Sequence, residues 1–152
     1  MEIVEATHAD VNDQLMGLAS DFYNSTSLVK IAEFCVETTA RLFHDVIDSE
    51  TCVLFVAKDD KDIVGFIGMA LQMGPFCKEL VLANELFWYV RPESRKSTAG
   101  LRLFNEALKW AKDMSADAIY FVAIEDDKVN DVSKIYTKKG FESIEHGYMR
   151  RL

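Results

Sequence analysis

The chain has 152 residues, 49% of them apolar, with two prolines and a formal net charge of -8. That is enough apolar material for a self-sufficient core, which excludes a disordered chain and a disulfide-dependent miniprotein, and a single domain over residues 1–152 is expected. The acidic balance disfavours a broad grip on nucleic acid and favours cationic partners.

Residues 2–6 (EIVEA) read as a short strand. Thr7 followed by Asp10 fits a helix start, in which the threonine side chain accepts an end amide and the acid reaches back. Val11, Leu15, Leu18 and Phe22 then give that helix one apolar side, and "NSTS" at 24–27 ends it. A longer helix is predicted from Leu28 to about Ile47, burying Leu28, Ile31, Cys35, Leu42 and Val46. "TCVLFVAK" (51–58) and "IVGFIGMALQM" (63–73) are rich in β-formers, with the charged "DDKD" (59–62) as the turn between them. "GPFCKEL" (74–80) changes direction before a third strand, about Val81 to Val90.

From Thr98 onward, Leu101, Phe104, Leu108 and Ala111 recur with helical spacing, widened by Leu103, Ala107 and Met114. "AIYFVAI" (118–124) is a short apolar strand. After "EDDKVND" a last helix runs from Val129 to about Lys139 and stops at Gly140, and Phe141 to Leu152 is expected to add a final strand or strand pair. The order β-α-α-β-β-β-α-β-α-β combines an antiparallel meander with a parallel crossover. It therefore predicts an α/β fold (α+β mixed sheet) with helices on its faces.

The apolar run from Ile63 to Leu71 is too short for a membrane span. No basic region followed by a hydrophobic one opens the sequence, so no signal peptide is expected. Cys35, Cys52 and Cys77 are an odd set without paired spacing, which predicts buried free thiols in a reducing compartment and hence a cytoplasmic protein. His8, His44 and His146 are scattered, and no metal is expected.

The junction "WYVRPESRKSTAG" (88–100) carries positive charge and hydroxyls between a strand and a helix. The first turn of a helix offers amides without intrahelical partners and the positive end of the helix dipole, so Ser94 to Gly100 could cradle a phosphate. Arg95 and Lys96 would add charge, and Ser97 and Thr98 hydroxyl donors. An ordinary corner with solvated charges is the alternative. Neither G-x-x-x-x-G-K-[S/T] nor G-x-G-x-x-G occurs, which removes the P-loop and dinucleotide-fold readings.

The stretch "ELFWYVRPESRKSTAGLRLFNEAL" (85–108) resembles the fourth strand, V-x-P-E-x-R turn and R/Q-x-x-G-x-G/A loop of the GNAT superfamily of acyl-CoA-dependent N-acyltransferases. "IYTKKGFE" (135–142) is similar to that family's tyrosine-bearing last helix followed by Gly-Phe. Arg95 and Gly100 keep the outer positions of the loop, while Thr98 stands where the middle glycine is usual. The likeness in element order runs nearly the full length, with the first two helices matching by position only.

The resemblance implies a sheet whose fourth and fifth strands splay apart, acetyl-CoA as cosubstrate, and direct transfer of the acetyl group to an amine. The pantetheine arm would lie along the backbone of Trp88, Tyr89 and Val90. The diphosphate would sit on Arg95, Lys96, Ser97, Thr98, Ala99 and Gly100. Glu85 falls where relatives often carry a catalytic glutamate, and is either the base or an edge residue. Tyr136 falls where relatives protonate the departing thiolate, and is either that acid or packing. Asn130 either contacts the coenzyme or caps its helix. The acceptor is an amine-bearing small molecule or a basic protein, with no nucleic acid and no membrane involved and a homodimer left open. A CoA-binding protein without activity is the competing reading.

Overall fold

The computed structural model describes residues 1–124 and 129–152, with side chains described for 1–124 and 132–152. The chain forms two compact units, Met1–Phe121 and Val122–Leu152. The first holds β1 (Glu2–Glu5), α1 (Asp13–Asn24), α2 (Val36–Asp48), β2 (Cys52–Asp59), β3 (Asp62–Gly74), β4 (Cys77–Val90), α3 (Ala99–Asp113) and β5 (Ala118–Tyr120). The second holds α4 (Val129–Lys138).

The five strands lie in the order β1-β2-β3-β4-β5. The first three pairings are antiparallel, and β4 pairs with β5 in parallel. Both faces of the sheet are covered, which explains why β2 and β3 read as almost unbroken apolar runs. Alternation along β2 sends Leu54 and Val56 to one core, with Leu15, Leu18, Phe43 and Val46 of α1 and α2. Val53, Phe55 and Ala57 go to the other, with Ala99, Leu103, Ala107 and Ala111 of α3.

Several local expectations are corrected. Thr7 and Asp10 do form a reciprocal turn, but a 3-10 one over His8–Asp10, and the Asp10 carboxylate accepts both the Thr7 amide (2.9 Å) and hydroxyl (3.0 Å). Helix α1 starts later, on Asn12, whose side chain accepts from Gln14 and Leu15 amides at 3.0 and 3.4 Å. Asp10 also meets Lys58 at 2.5 Å. Burial pushes its carboxyl up, but the bonds from Lys58 and Thr7 outweigh this and hold it below the usual range.

The predicted second helix divides into a 3-10 turn (Ser27–Lys30) and α2. The Tyr23 hydroxyl donates to the carbonyl of Ala32 at 2.8 Å, tying down the non-helical connection. Phe43 and Val46 form the buried face of α2, whereas Leu28, Ile31 and Leu42 are exposed. Cys35 and Cys77 are exposed and Cys52 half-buried, so the thiols are free but not core residues.

The second hairpin turns at Pro75 and Phe76, and β4 begins at Cys77 rather than near Val81. Within "CKEL" only Cys77 pairs with β3, opposite Gly74, and the ladder resumes at Val81 opposite Met73, while the charged Lys78 and Glu79 stay exposed at the hairpin end. Strand β5 ends at Tyr120 instead of 124. Among the described residues no strand follows α4. Ile144, Tyr148 and Met149 are exposed there, and β-propensity without a surface to pack on does not make a strand. Among the described residues no helix is long and apolar enough to cross a membrane.

Candidate functional site

Strand β4 changes halfway along. From Leu82 to Asn84 it has β3 on one side and β5 on the other. Gly68 pairs with Phe87 and Met69 with Glu85, so Leu86 is an extra residue and the strand bulges. The bulge reverses which faces the odd-numbered residues occupy. Ala83 belongs to the α3 core, but Phe87 and Tyr89 belong to the α1–α2 core. The pairing with β5 stops at Asn84, opposite Tyr120, where β5 itself ends.

The side chains in this half are structural. Trp88 stacks on Phe104 with ring centres 5.9 Å apart, and Tyr89 meets Phe22 edge-on at 6.1 Å. Trp88 and Val90 lie on the α3 side.

After β4, Pro92–Ser94 make a 3-10 turn and α3 begins at Ala99. Within the turn, the amides of Ser94, Arg95 and Ser97 bond to the carbonyls of Arg91, Pro92 and Ser94. The Ser97 hydroxyl accepts from the Ala99 amide at 3.2 Å. Among the described residues, the amides of Lys96, Thr98, Gly100 and Leu101 have no such bond. Thr98 occupies the N-cap without a side-chain cap bond, and the first turn of α3 contains no acid. The positive end of the helix dipole is therefore not neutralised by its own first turn.

Thr98 has φ -82° and ψ 0°. Positive φ among non-glycines occurs only at Asp60 and Ser115 in the described chain, so threonine replaces the usual glycine without backbone strain. Gly100 is placed differently. A Cβ there would meet Trp88 and Val90 at 3.7 Å, ordinary contact distances, so the fold itself tolerates a side chain.

Arg95 is exposed but tethered: its Nε donates to the Val90 carbonyl at 2.9 Å, and its Cζ lies 5.4 Å from the centre of the Tyr89 ring. Lys96 is exposed. Arg91 is engaged with the Ser94 hydroxyl at 3.2 Å and Asp62 at 3.9 Å.

A cleft of about 770 Å³ lies on the other side of Tyr89, with Asp13, Asp21, Asp62 and Glu93 on its wall. Its carboxylates repel phosphate. It borders Tyr89 and residues 91–93.

In the second unit, Gly140 has φ +84°, the left-handed conformation expected of a helix end. The amide of Gly140 bonds to the Thr137 carbonyl and that of Phe141 to the Tyr136 carbonyl. The pair of bonds is a Schellman motif, completed by the Tyr136 and Phe141 rings 5.8 Å apart. The spacing Y-x-x-x-G-F thus has a local cause: glycine reverses the chain and folds the phenylalanine onto the tyrosine. Tyr136 is half-buried, and its hydroxyl donates to the Val122 carbonyl at 3.2 Å. The side chain of Asn130 lies outside the described residues. Glu85 is half-buried at the bulge.

Sequence reading placed backbone roles at 88–90 but missed the Tyr89–Arg95 stack, since residues six apart across a turn leave no periodic signal. It also missed the acidic cleft, whose walls come from three separate segments.

No curated protein sequence matches this chain. Solved structures do. AAC(6')-Iy in complex with the bisubstrate analog CoA-S-monomethyl-acetylneamine superposes with TM-score 0.77 at 13% identity, covering 99% of this chain and 97% of that one. Aminoglycoside 6'-N-acetyltransferase AAC(6')-IG from Acinetobacter haemolyticus gives 0.72 at 17%, covering 100% and 98%. A ribosomal-protein-alanine N-acetyltransferase from Brucella melitensis gives 0.73 at 16%, covering 100% of each chain. At these identities the likeness establishes the fold. The sequence model described as the Acetyltransferase (GNAT) family matches residues 13–141, and with the bulged fourth strand and the uncapped helix that follows it, the chain belongs to that family.

Proposed function

We propose that this chain transfers an acetyl group from acetyl-CoA to an amine by direct attack in a ternary complex. The observation that carries the reading is the start of α3: amides without partners, no acid in the first turn, and Arg95 and Lys96 beside them. That chemistry suits a diphosphate. Thr98, Ala99, Gly100 and Ser97 complete the contact surface, and the pantetheine arm runs along the backbone of Trp88, Tyr89 and Val90. Asn130 is assigned to the coenzyme by resemblance alone. Residues 1–121 and 122–152 together act as one acyltransferase domain, a reading supported by a family match that spans both.

The chemistry follows. The amine attacks the thioester carbon, and charge gathers on the carbonyl oxygen, which a backbone amide at the Leu86 bulge would stabilise. The C–S bond then breaks and the electron pair leaves with sulfur. Glu85 takes the proton lost by the amine, directly or through water, and Tyr136 gives its proton to the thiolate. Holding both reactants in one complex supplies much of the rate.

A cationic acceptor fits a chain of net charge -8. The aminoglycoside enzymes among the structural relatives favour a small polyamine-like molecule, while the ribosomal-protein enzyme keeps a protein N-terminus in play. A silent CoA-binding protein is the second reading, and the Tyr136 hydroxyl bonded to Val122 favours it, because that bond occupies the proton an acid would give.

Thiol release from acetyl-CoA across a panel of amines, with mass spectrometry of the product, tests the proposal. Turnover is expected with at least one cationic amine. Coenzyme binding by calorimetry without thiol release would support the silent protein instead. Tyr136→Phe and Glu85→Gln are each expected to lower kcat about 100-fold while sparing coenzyme affinity. Full-rate mutants would remove both residues from the mechanism.

A further inference from the structure

We propose that the Tyr89 side chain is a positioning residue for the coenzyme, holding the Arg95 guanidinium ready for the diphosphate. The proposal rests on the reading of residues 95–101 as the diphosphate cradle.

An exposed arginine ordinarily samples many rotamers, and ordering it on a ligand opposes binding. Arg95 is exposed, yet its Nε–H is spent on the Val90 carbonyl at 2.9 Å and its Cζ stands 5.4 Å from the Tyr89 ring centre. The Nε bond uses one of five guanidinium donors, so donors on the Nη atoms remain for a ligand.

The platform is itself fixed. Tyr89 is 8% exposed and meets Phe22 at 6.1 Å and Phe66 at 6.3 Å. Burial, with Asp21 adding to it, pushes the phenol up from its ordinary value despite the opposing effect of Arg95, so the ring faces the guanidinium as a neutral π surface. The bulge at Leu86 is what turns Tyr89 to this face. A lysine at 95 would keep the charge but lose both the guanidinium over the ring and the Nε bond.

Calorimetry with acetyl-CoA tests this on the full chain. Tyr89→Leu is expected to weaken binding about three- to tenfold, and Tyr89→Phe to stay within about twofold of the parent protein. Arg95→Lys, a surface change, is expected to bind about as weakly as Arg95→Ala. Tyr89→Leu added to Arg95→Ala is expected to cost nothing further, which simple damage to the core would not produce. If the Tyr89→Leu loss persists in full without Arg95, or Arg95→Lys binds like the parent, the positioning role is overturned while the cradle stands. If Arg95→Ala leaves affinity unchanged, Arg95 leaves the cradle and the inference falls with it. If the parent protein binds no acetyl-CoA at all, the cradle reading itself fails.

Discussion

Helices α1 and α3 begin in opposite ways. At α1, Asn12 accepts two end amides and Asp13 places a carboxylate in the first turn, so the positive end of the helix is satisfied from within. At α3, Thr98 makes no side-chain cap bond, the first turn holds no acid, and Arg95 and Lys96 add positive charge. A capped start contributes stability, whereas an uncapped one keeps donors available for a ligand. Helix α2 shows that a missing cap alone is not the signal. Cys35 makes no cap bond either, but Glu37 sits in its first turn. What distinguishes α3 is the missing cap together with the missing acid and the neighbouring cations.

The sharpest way to break this comparison is to make α3 begin like α1. Thr98→Asp should cap the free amides, raise stability by about 1 kcal/mol and weaken acetyl-CoA binding about 100-fold, read by thermal melting and calorimetry together. A variant that gains stability and keeps full affinity would show that the diphosphate lies elsewhere. The reverse experiment is Asn12→Ala, expected to cost about 1 kcal/mol of stability while leaving the KM for acetyl-CoA unchanged. Ser115→Gly tests a helix end rather than a start. Ser115 holds φ 57°, and its amide and that of Ala116 bond to the carbonyls of Lys112 and Ala111, as glycine manages at the end of α4. Glycine there should relieve strain and leave coenzyme affinity untouched, for a gain of up to about 1 kcal/mol in denaturant unfolding. Smallest of all is Thr98→Gly. With φ already at -82°, the glycine relieves nothing, so coenzyme affinity should stay the same or weaken slightly, and a large gain would contradict the relaxed loop.

Much of the architecture was legible because it follows from short-range chemistry. Nearly unbroken apolar runs rich in β-formers made β2 and β3, helical spacing made α3, and Gly140 ended α4 where only a residue tolerant of positive φ fits well. The failures have a common cause as well. Leu28 and Ile31 continue a helical stripe on paper, yet no sheet surface lies under them, and they remain exposed on a 3-10 turn held by Tyr23. The last residues carry β-formers, yet Ile144, Tyr148 and Met149 are exposed and no strand forms there among the described residues.

The candidate site divides along the same line. The sequence alone determined where cations, hydroxyls and a helix start coincide, because those features lie within thirteen consecutive residues, 88–100. Tertiary structure alone decided that Leu86 bulges out of the ladder, that the pairing of β4 with β5 stops at Asn84, and that Tyr89 turns to carry Arg95. Strand register and ring placement are set by partners distant in the chain, and a one-residue bulge, which leaves no mark in composition or periodicity, reverses the face of every residue after it.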